Sequence, residues 1–453
     1  MSATGLPPLA IPRRGAARRS RAQDGPETPE RIPLLSRPLA SYYLLVSAAG
    51  LLLVFGLVMV LSASSVTAYA EYKSSYYYFI RQAMWLAMGL PVFFIASRMS
   101  IRFFRWLAYP ILVASFVLLL AVMVPGIGIT SNGSTRWVGA GSFVIQPSEF
   151  AKLGIALWGA DLLARKYRML GEWRHLLVPL VPVVTLFAAI VMMQPDMGTT
   201  LVIVTLLLAL LWTVGAPGRL FAGVLAVVAT LASFLAVLEP YRLARLTSFR
   251  DPFNDAMGSG YQAVQGIYAL SSGGWWGLGL GASREKWSYL PNAHTDFILA
   301  IIGEELGLIG TLMVVALFAV LAYAGIRIAT RATDTFARLA AAAVTAWLIV
   351  QAVVNMAAVV GLVPITGIPL PLISAGGSAL IPTLFAIGML AAFARNEPAA
   401  AEALALRRSR RQARRAGGLF GRWRFRRQLR AGVPAPRAKN ESRRSARRRL
   451  SRR

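Results

Sequence analysis

Ten apolar runs, each about long enough to cross a lipid bilayer, constrain this chain more than any other feature of its sequence. The composition agrees, since 56% of the residues are hydrophobic and only 15% are charged, which excludes an ordinary soluble domain. We therefore expect an all-α polytopic membrane protein with about ten transmembrane helices. The predicted spans lie near residues 42–67, 77–97, 103–124, 147–164, 176–194, 198–214, 218–238, 296–325, 338–361 and 374–395.

The arginines and lysines predict how these spans are oriented. Basic residues crowd the tail before the first span and the connections that follow the second, fourth, sixth and eighth spans. Because basic loops stay on the cytoplasmic side, both termini are predicted to be cytoplasmic. The connection between the seventh and eighth spans, about 239–295, then becomes a long extracytoplasmic loop. A loop of this length is more often functional than idle, and its Gly- and Trp-rich part, Ser271–Gly281, favours a segment folded against the membrane interface.

The charge of the chain divides it into three parts. The formal net charge is +29, and much of it lies in a basic N-terminal tail, residues 1–40, and an Arg-rich C-terminal tail, residues 396–453, which flank a membrane domain at 41–395. Both tails have the composition of disordered segments. Arginine next to a cytoplasmic membrane surface favours binding to anionic lipid or to an acidic cytoplasmic partner, and we do not expect nucleic acid as a partner.

Ionisable residues gather at the start of the eighth span. His294, Asp296, Glu304 and Glu305 lie in or beside an apolar run. One ionised side chain at the centre of a membrane helix costs roughly 2.5–3.5 kcal/mol on insertion scales. We expect Asp296, in the first turn of the span, to serve a reaction site. For Glu304 and Glu305 a structural role in holding helices together is an equal alternative.

Three further polar groups fall at the same, outer side of the predicted membrane. Glu149 and Lys152 share one helix face at the start of the fourth span, and an ion pair that lowers the insertion cost is the alternative reading there. Arg136 is predicted in an extracytoplasmic turn beside a tryptophan. Asp196 follows Pro195, at the only clear interruption that we find between or within spans, and is expected to cap the next helix.

This co-location suits a lipid-linked anionic substrate such as a polyprenyl diphosphate. Arg136 and Lys152 would hold the diphosphate and balance its charge as it leaves, with Glu149 and His294 as further substrate-binding residues. Asp296 is our candidate for the base that removes a proton from an attacking hydroxyl, and His294 is the second candidate. A divalent cation, magnesium or manganese, could assist the diphosphate. No dedicated metal ligand set or other cofactor is evident, since the chain has no cysteine and two histidines.

Several long motifs in this order resemble the SEDS family (shape, elongation, division and sporulation) of peptidoglycan polymerases. The resemblance covers most of the membrane domain and omits only the tails. One segment departs from the family, since Ser374–Ala379 lacks an aromatic residue and a hydroxyl that many members have. The matching segments are Gly56–Ser64, Arg136-Trp137, Gln146–Lys152, Gln194–Thr199, Ala293–Glu305 and Gly361–Ser374.

The resemblance implies a ten-span fold that joins the disaccharide units of lipid II into glycan strands at the outer face of the cytoplasmic membrane. It places an essential aspartate at Asp296 and a conserved basic residue at Lys152. It also implies a class B penicillin-binding protein, a transpeptidase, as partner. The motifs around Leu290–Asp296 and in the first span are nearer to the cell-division members than to the elongation members, and the tails resemble actinobacterial ones. Other division proteins and a septal location follow from that comparison.

Two other functions remain open from the sequence. A lipid II flippase would also need buried charge, but many transporters carry paired broken helices and only the interruption at Pro195–Gly198 is clear. A flippase also needs a polar path to the cytoplasmic side, whereas these charges gather outside. A non-enzymatic division scaffold is compatible with the basic tail, but it does not explain a membrane-embedded Asp296. A polymerase of the elongation type is the alternative within the family.

Overall fold

The protein is predominantly helical. Its computed structural model describes residues 37–131, 134–141, 143–169, 177–238, 249, 251–258, 260–287 and 289–416. His175, the outer ends of both tails and parts of the long loop lie outside these ranges. The helices are α1 (Ala40–Tyr72), α2 (Tyr77–Ala96), α3 (Ile101–Val122), α4 (Pro147–Arg165), α5 (Leu180–Met193), α6 (Met197–Val214), α7 (Gly218–Leu238), α8 (Tyr261–Gly273), α9 (Ile298–Arg331), α10 (Thr335–Val359), α11 (Leu380–Arg395) and α12 (Pro398–Ala416).

Seven helices in the described ranges are long and apolar enough to cross a membrane: α1, α2, α3, α6, α9, α10 and the segment Gly377–Arg395 that contains α11. The three other predicted spans correspond to α4, α5 and α7. Helix α4 has the length but carries four charged side chains, and α5, with 14 residues, is short. The polytopic helical fold is thus confirmed, whereas the count of ten spans stays a prediction.

Helix α4 lies at the centre of the bundle. It packs against α3, α6 and α10, and nearly every residue along it is buried. Small residues permit this packing: a Cβ at Gly154 would lie 3.0 Å from the Cα of Leu112 on α3. Because α4 is surrounded on all sides, the polar side chains that it carries are held away from lipid.

A three-stranded antiparallel sheet stands between α3 and α4, where the sequence analysis expected a turn. Its strands β1 (Gly128–Ser131), β2 (Ser134–Ala140) and β3 (Phe143–Ile145) lie in chain order. Val138 pairs with Gly128 on one side and Ile145 on the other. Arg136 therefore sits on the central strand, whose backbone pairing fixes it more firmly than a turn would.

Helix α9 is broken, and the expectation of a single interruption is wrong. Gly307 has φ 66° and ψ −163°, a conformation essentially restricted to glycine. The segment after α8 fills the break: Leu278 N donates to Glu304 O at 2.9 Å, and Leu308 N donates to Gly274 O at 2.9 Å. The Gly- and Trp-rich segment is therefore built into α9, while its Trp275 and Trp276 side chains stay exposed.

The C-terminal tail also differs from its prediction. Residues 398–416, expected to be disordered, form helix α12. Alanine and leucine fill its first turns and arginine its later ones, so the sequence has good helix formers throughout. The remainder of that tail, 417–453, lies outside the described residues.

Candidate functional site

Residues 194–196 separate α5 from α6. Hydrogen bonds of Asp196 and of Arg136, on strand β2, hold this break. Asp196 caps α6, accepting hydrogen bonds from Thr199 N at 3.0 Å and Thr199 Oγ1 at 2.8 Å, so the predicted capping role is confirmed. The Arg136 guanidinium donates to the carbonyl oxygens of Gln194 and Pro195 and lies 3.8 Å from Asp196 Oδ1. Arg136 thus satisfies backbone groups that the break leaves open.

A second polar cluster is completely buried in the bundle. Lys152 Nζ donates to Glu149 Oε1 at 2.8 Å and to Gln351 Oε1 at 2.8 Å, and it lies 5.1 Å from the ring centre of Trp347. Trp347 Nε1 also donates to Gln351 Oε1 at 2.8 Å. The Glu149–Lys152 ion pair of the alternative reading is therefore present, and α10 adds a polar and an aromatic contact to the ammonium.

Asp296 lies in the loop of residues 290–297 that precedes α9. The expectation that it occupies the first turn of the helix is wrong, because α9 begins at Ile298. Its backbone carbonyl accepts from Asn355 Nδ2 at 2.7 Å. Its half-buried carboxylate faces Gly367, where a Cβ would lie 3.6 Å from Asp296 Oδ2. Gly367 has φ 68°, a left-handed backbone conformation that favours glycine.

The loop of residues 361–376, between α10 and α11, clamps the 290–297 loop. Ser374 Oγ donates to Thr295 O at 2.7 Å, and Ala375 N donates to His294 O at 3.0 Å. The family hydroxyl and aromatic ring absent from Ser374–Ala379 are thus not needed for this clamp, because Ser374 and the backbone supply it.

His294 stacks against the start of α2. Its ring centre lies 4.4 Å from that of Tyr78, whose hydroxyl donates to Glu71 Oε2 at 2.7 Å. Burial lowers the pKa of His294 to about 4, against the opposing effect of the Glu71 charge. The imidazole is consequently neutral near pH 7, with one nitrogen able to accept a proton or hydrogen bond.

The 361–376 loop contacts α6, α10 and the 290–297 loop, which carry or contact the five predicted site residues. Gln351, which contacts Lys152, also donates to Pro369 O at 3.0 Å. Asn355, one turn later, joins Asp296 O to Ile368 O. On the α6 side, a Cβ at Gly198 would lie 2.7 Å from Thr366 O. The Arg136–Asp196, Glu149–Lys152 and Asp296–His294 groups are therefore connected through one scaffold.

Glu304 and Glu305 form a separate network. Glu305 accepts from Ser62 Oγ at 2.7 Å and lies 3.4 Å from Lys286 Nζ. Glu304 accepts from Ser283 Oγ at 2.5 Å and Arg284 N at 2.8 Å. Both carboxylates thus hold residues 283–286, which follow the segment that fills the α9 break, and this favours the structural alternative for them.

Gln351 and Asn355 are the site residues that the sequence analysis missed. A signal existed: with Trp347 they recur every four residues in an apolar span, so they share one helix face. Their carbonyl partners lie in the loop that follows α10 and, for Asn355, also in the 290–297 loop, which no spacing reveals. Within the described ranges, no group of three or more His, Asp or Glu side chains could hold a metal ion.

The apolar helices of membrane-spanning length define a polytopic membrane protein, with buried polar clusters at the loops between helix ends. A family model described as "Cell cycle protein", covering FtsW, RodA and SpoVE, matches residues 42–398. The chain therefore belongs to the FtsW, RodA and SpoVE family, the SEDS proteins.

Relatives and solved structures agree. The chain is 46% identical over 370 residues to the probable peptidoglycan glycosyltransferase FtsW of Mycobacterium tuberculosis, covering 82% of this chain and 71% of that protein. It is 40% identical to stage V sporulation protein E of Bacillus subtilis, over 77% of this chain and 95% of that one. A peptidoglycan synthase complex solved to explain the coordination of polymerisation and crosslinking contains a chain that matches with a TM-score of 0.65 at 27% identity, over 78% and 97%. Thermus thermophilus RodA matches with a TM-score of 0.58 at 26% identity, over 78% and 96%.

Proposed function

We propose that this protein is a peptidoglycan glycosyltransferase of the FtsW type, which polymerises lipid II at the outer face of the cytoplasmic membrane during cell division. The similarity to FtsW proteins over most of the membrane domain supports the activity. The placement of Asp296 is the structural observation that carries the proposal. Its carboxylate is half-buried beside the turn at Gly367, in a loop held by Asn355 and Ser374.

Asp296 acts as the general base. It accepts the proton of the acceptor sugar hydroxyl while that oxygen attacks the donor sugar, with inversion at the anomeric carbon. The backbone hydrogen bonds of Asn355 and Ser374 hold the loop that carries this carboxylate. Neutral His294, two residues earlier, orients the acceptor through a hydrogen bond, because an imidazole with a pKa of about 4 carries no charge for a diphosphate near pH 7.

Arg136 and Lys152, with Glu149, serve the donor. Each cation is paired with a carboxylate in this structure, Arg136 with Asp196 and Lys152 with Glu149. The two pairs have no net charge, so the donor diphosphate binds by taking over one of their contacts. A developing negative charge on the leaving diphosphate then strengthens those contacts. A magnesium or manganese ion in this scheme is carried by the diphosphate.

The break at Gly307 is an observation in favour of the flippase alternative. With the break at Pro195 it makes two interruptions in the bundle, and many transporters have paired broken helices. However, the backbone of the 274–279 segment fills this break with hydrogen bonds to Glu304, Glu305 and Leu308. Substrate and coupling ions in such transporters bind where broken helices expose free backbone groups. The polymerase is therefore the better account of the same geometry.

A class B penicillin-binding protein is the proposed partner, supported by the matching chain in a complex that coordinates polymerisation and crosslinking. Within the proposed orientation, the Arg-rich C-terminal tail faces the cytoplasm and is suited to anionic lipid or an acidic partner. Contacts with other division proteins and location at the septum complete the proposal.

An assay of the purified protein with lipid II distinguishes polymerisation from flipping. The protein is reconstituted with a class B penicillin-binding protein whose transpeptidase serine is blocked, and glycan strands are resolved on a gel. We expect strands longer than one disaccharide. Strands absent while fluorescent lipid II crosses the vesicle bilayer would contradict the polymerase and establish the flippase.

A further inference from the structure

An open cavity of about 600 Å³ lies far along the fold from Asp296, where α2 ends, α3 begins and α11 passes into α12. Four arginines line it: Arg98, Arg102, Arg395 and Arg408. No aspartate or glutamate is among its lining residues. Arg395 is fixed in place, because its Nη1 donates to Ser97 O at 3.0 Å.

The electrostatics of this cavity favour an anion. Among the described residues, none of the four arginines forms an ion pair with a carboxylate. The nearby Glu397 is engaged by Arg331, with an Nη1–Oε2 distance of 4.0 Å. Helix α3 begins at the cavity wall with Ser100 as its cap, and the positive end of a 22-residue helix adds to the arginines.

The surroundings favour a lipid over a soluble anion. Beside Arg98, the apolar side chains Phe94 and Ile95 are 50% and 56% exposed on α2, and Trp106 is 66% exposed on α3. Tryptophan at this level of a membrane helix is typical of the interface between headgroups and acyl chains. A phosphate in the cavity therefore has apolar surface next to it for attached acyl chains.

Helix α12 covers the other side of the cavity. Ala401, Leu404, Ala405 and Arg408 recur at helical spacing on the face that lines it, so one arginine and an apolar stripe point inward together. The predicted topology puts this end of the bundle at the cytoplasmic leaflet, where anionic lipids concentrate.

We propose that this cavity binds the phosphate headgroup of an anionic phospholipid, with Arg98, Arg102, Arg395 and Arg408 around the phosphate and α12 closing over it. The site is separate from the reaction site, and the proposal stands whether or not the glycosyltransferase activity is established. It assigns α12 a specific lipid contact, beyond a general attraction of the tail to the membrane.

Native mass spectrometry of the full-length protein, with phosphatidylglycerol, cardiolipin or phosphatidylcholine added, tests this site. We expect the two anionic lipids to be retained and phosphatidylcholine to be lost. In the double variant Arg102→Gln/Arg408→Gln, retention should weaken by about 30-fold, from the usual contribution of two arginines near an anionic surface. The matched control Arg219→Gln/Arg407→Gln removes the same charge from exposed arginines outside the cavity and should bind as wild type.

Equal loss in both double variants would overturn the proposal, because it would show general charge attraction. So would displacement of the lipid by millimolar inorganic pyrophosphate, which would identify a soluble phosphate as ligand. Thermal unfolding of each variant is measured first. If Arg102→Gln/Arg408→Gln does not fold, the single variant Arg98→Gln replaces it, with an expected loss of about fivefold and with wild-type binding as the contradicting result.

Discussion

At the scale of single residues, sequence spacing identified pairs and missed their third partners. The i,i+3 spacing of Glu149 and Lys152 placed both side chains on one helix face, and the ion pair named as the alternative to a substrate-binding role is present. Gln351 and Trp347 contact the same ammonium from α10, a meeting that depends on how two distant helices pack. The role of Asp296 as base stays a prediction from its residue type and setting, and its proximity to the turn at Gly367 is a tertiary feature that spacing could not reveal.

The Glu149–Lys152 pair predicts an asymmetric mutational response. Lys152→Met leaves the fully buried Glu149 carboxylate without its cation, and breaking a buried pair in this way costs roughly 3–5 kcal/mol. The double variant Glu149→Gln/Lys152→Met removes both charges and should lose clearly less stability. Thermal unfolding in detergent measures both. The single variant Glu149→Gln completes the cycle, and a loss of stability in the double variant equal to the sum of the losses in Glu149→Gln and Lys152→Met would show that the pair is not coupled.

At the scale of elements, the apolar runs located ten of the twelve described helices to within six residues, because bilayer length and apolar composition identify such segments. They could not reveal that α9 is broken. Gly307 is one of several glycines in an apolar run, and its conformation is imposed by the 274–279 segment from another part of the chain. The small sheet was missed because its strands are short and their pairing is what stabilises them.

Gly307 should tolerate no side chain. A Cβ there would lie 2.5 Å from Gly277 N and Trp275 O, and its backbone conformation disfavours other residues. We expect Gly307→Ala to lower the free energy of unfolding by at least about 1–3 kcal/mol. Gly50→Ala in α1 is the control, because nothing lies within 4 Å of its Cβ position and alanine favours helix. Equal melting temperatures for the two variants would argue against the broken helix.

At the scale of the whole molecule, the predicted orientation of the chain in the membrane rests on the distribution of arginine and lysine. Seven helices meet the length and composition of a span, and α4, α5 and α7 decide whether the total is ten. Charge buried on α4 is what separates this helix from a typical lipid-facing span, since it is shielded by its neighbours. The sequence could predict its existence but not its central place.

Because the chain has no cysteine, single introduced cysteines can test the orientation. Asp251→Cys, exposed in the long loop, and Glu402→Cys, exposed on α12, are treated with a membrane-impermeant maleimide in intact cells. We expect labelling at position 251 only, with both labelled after the cells are opened. Labelling of position 402 in intact cells would reverse the topology and place the arginine-lined cavity outside.

The most direct test of the central claim is the rate of lipid II polymerisation by Asp296→Asn. The substitution keeps the shape of the side chain and the backbone bond to Asn355, so the protein should fold and bind lipid II while its turnover falls by about 100-fold or more, the range expected for a lost general base. Asp251→Asn removes an exposed carboxylate from the same proposed side and should keep wild-type turnover. A wild-type rate in Asp296→Asn would contradict the account.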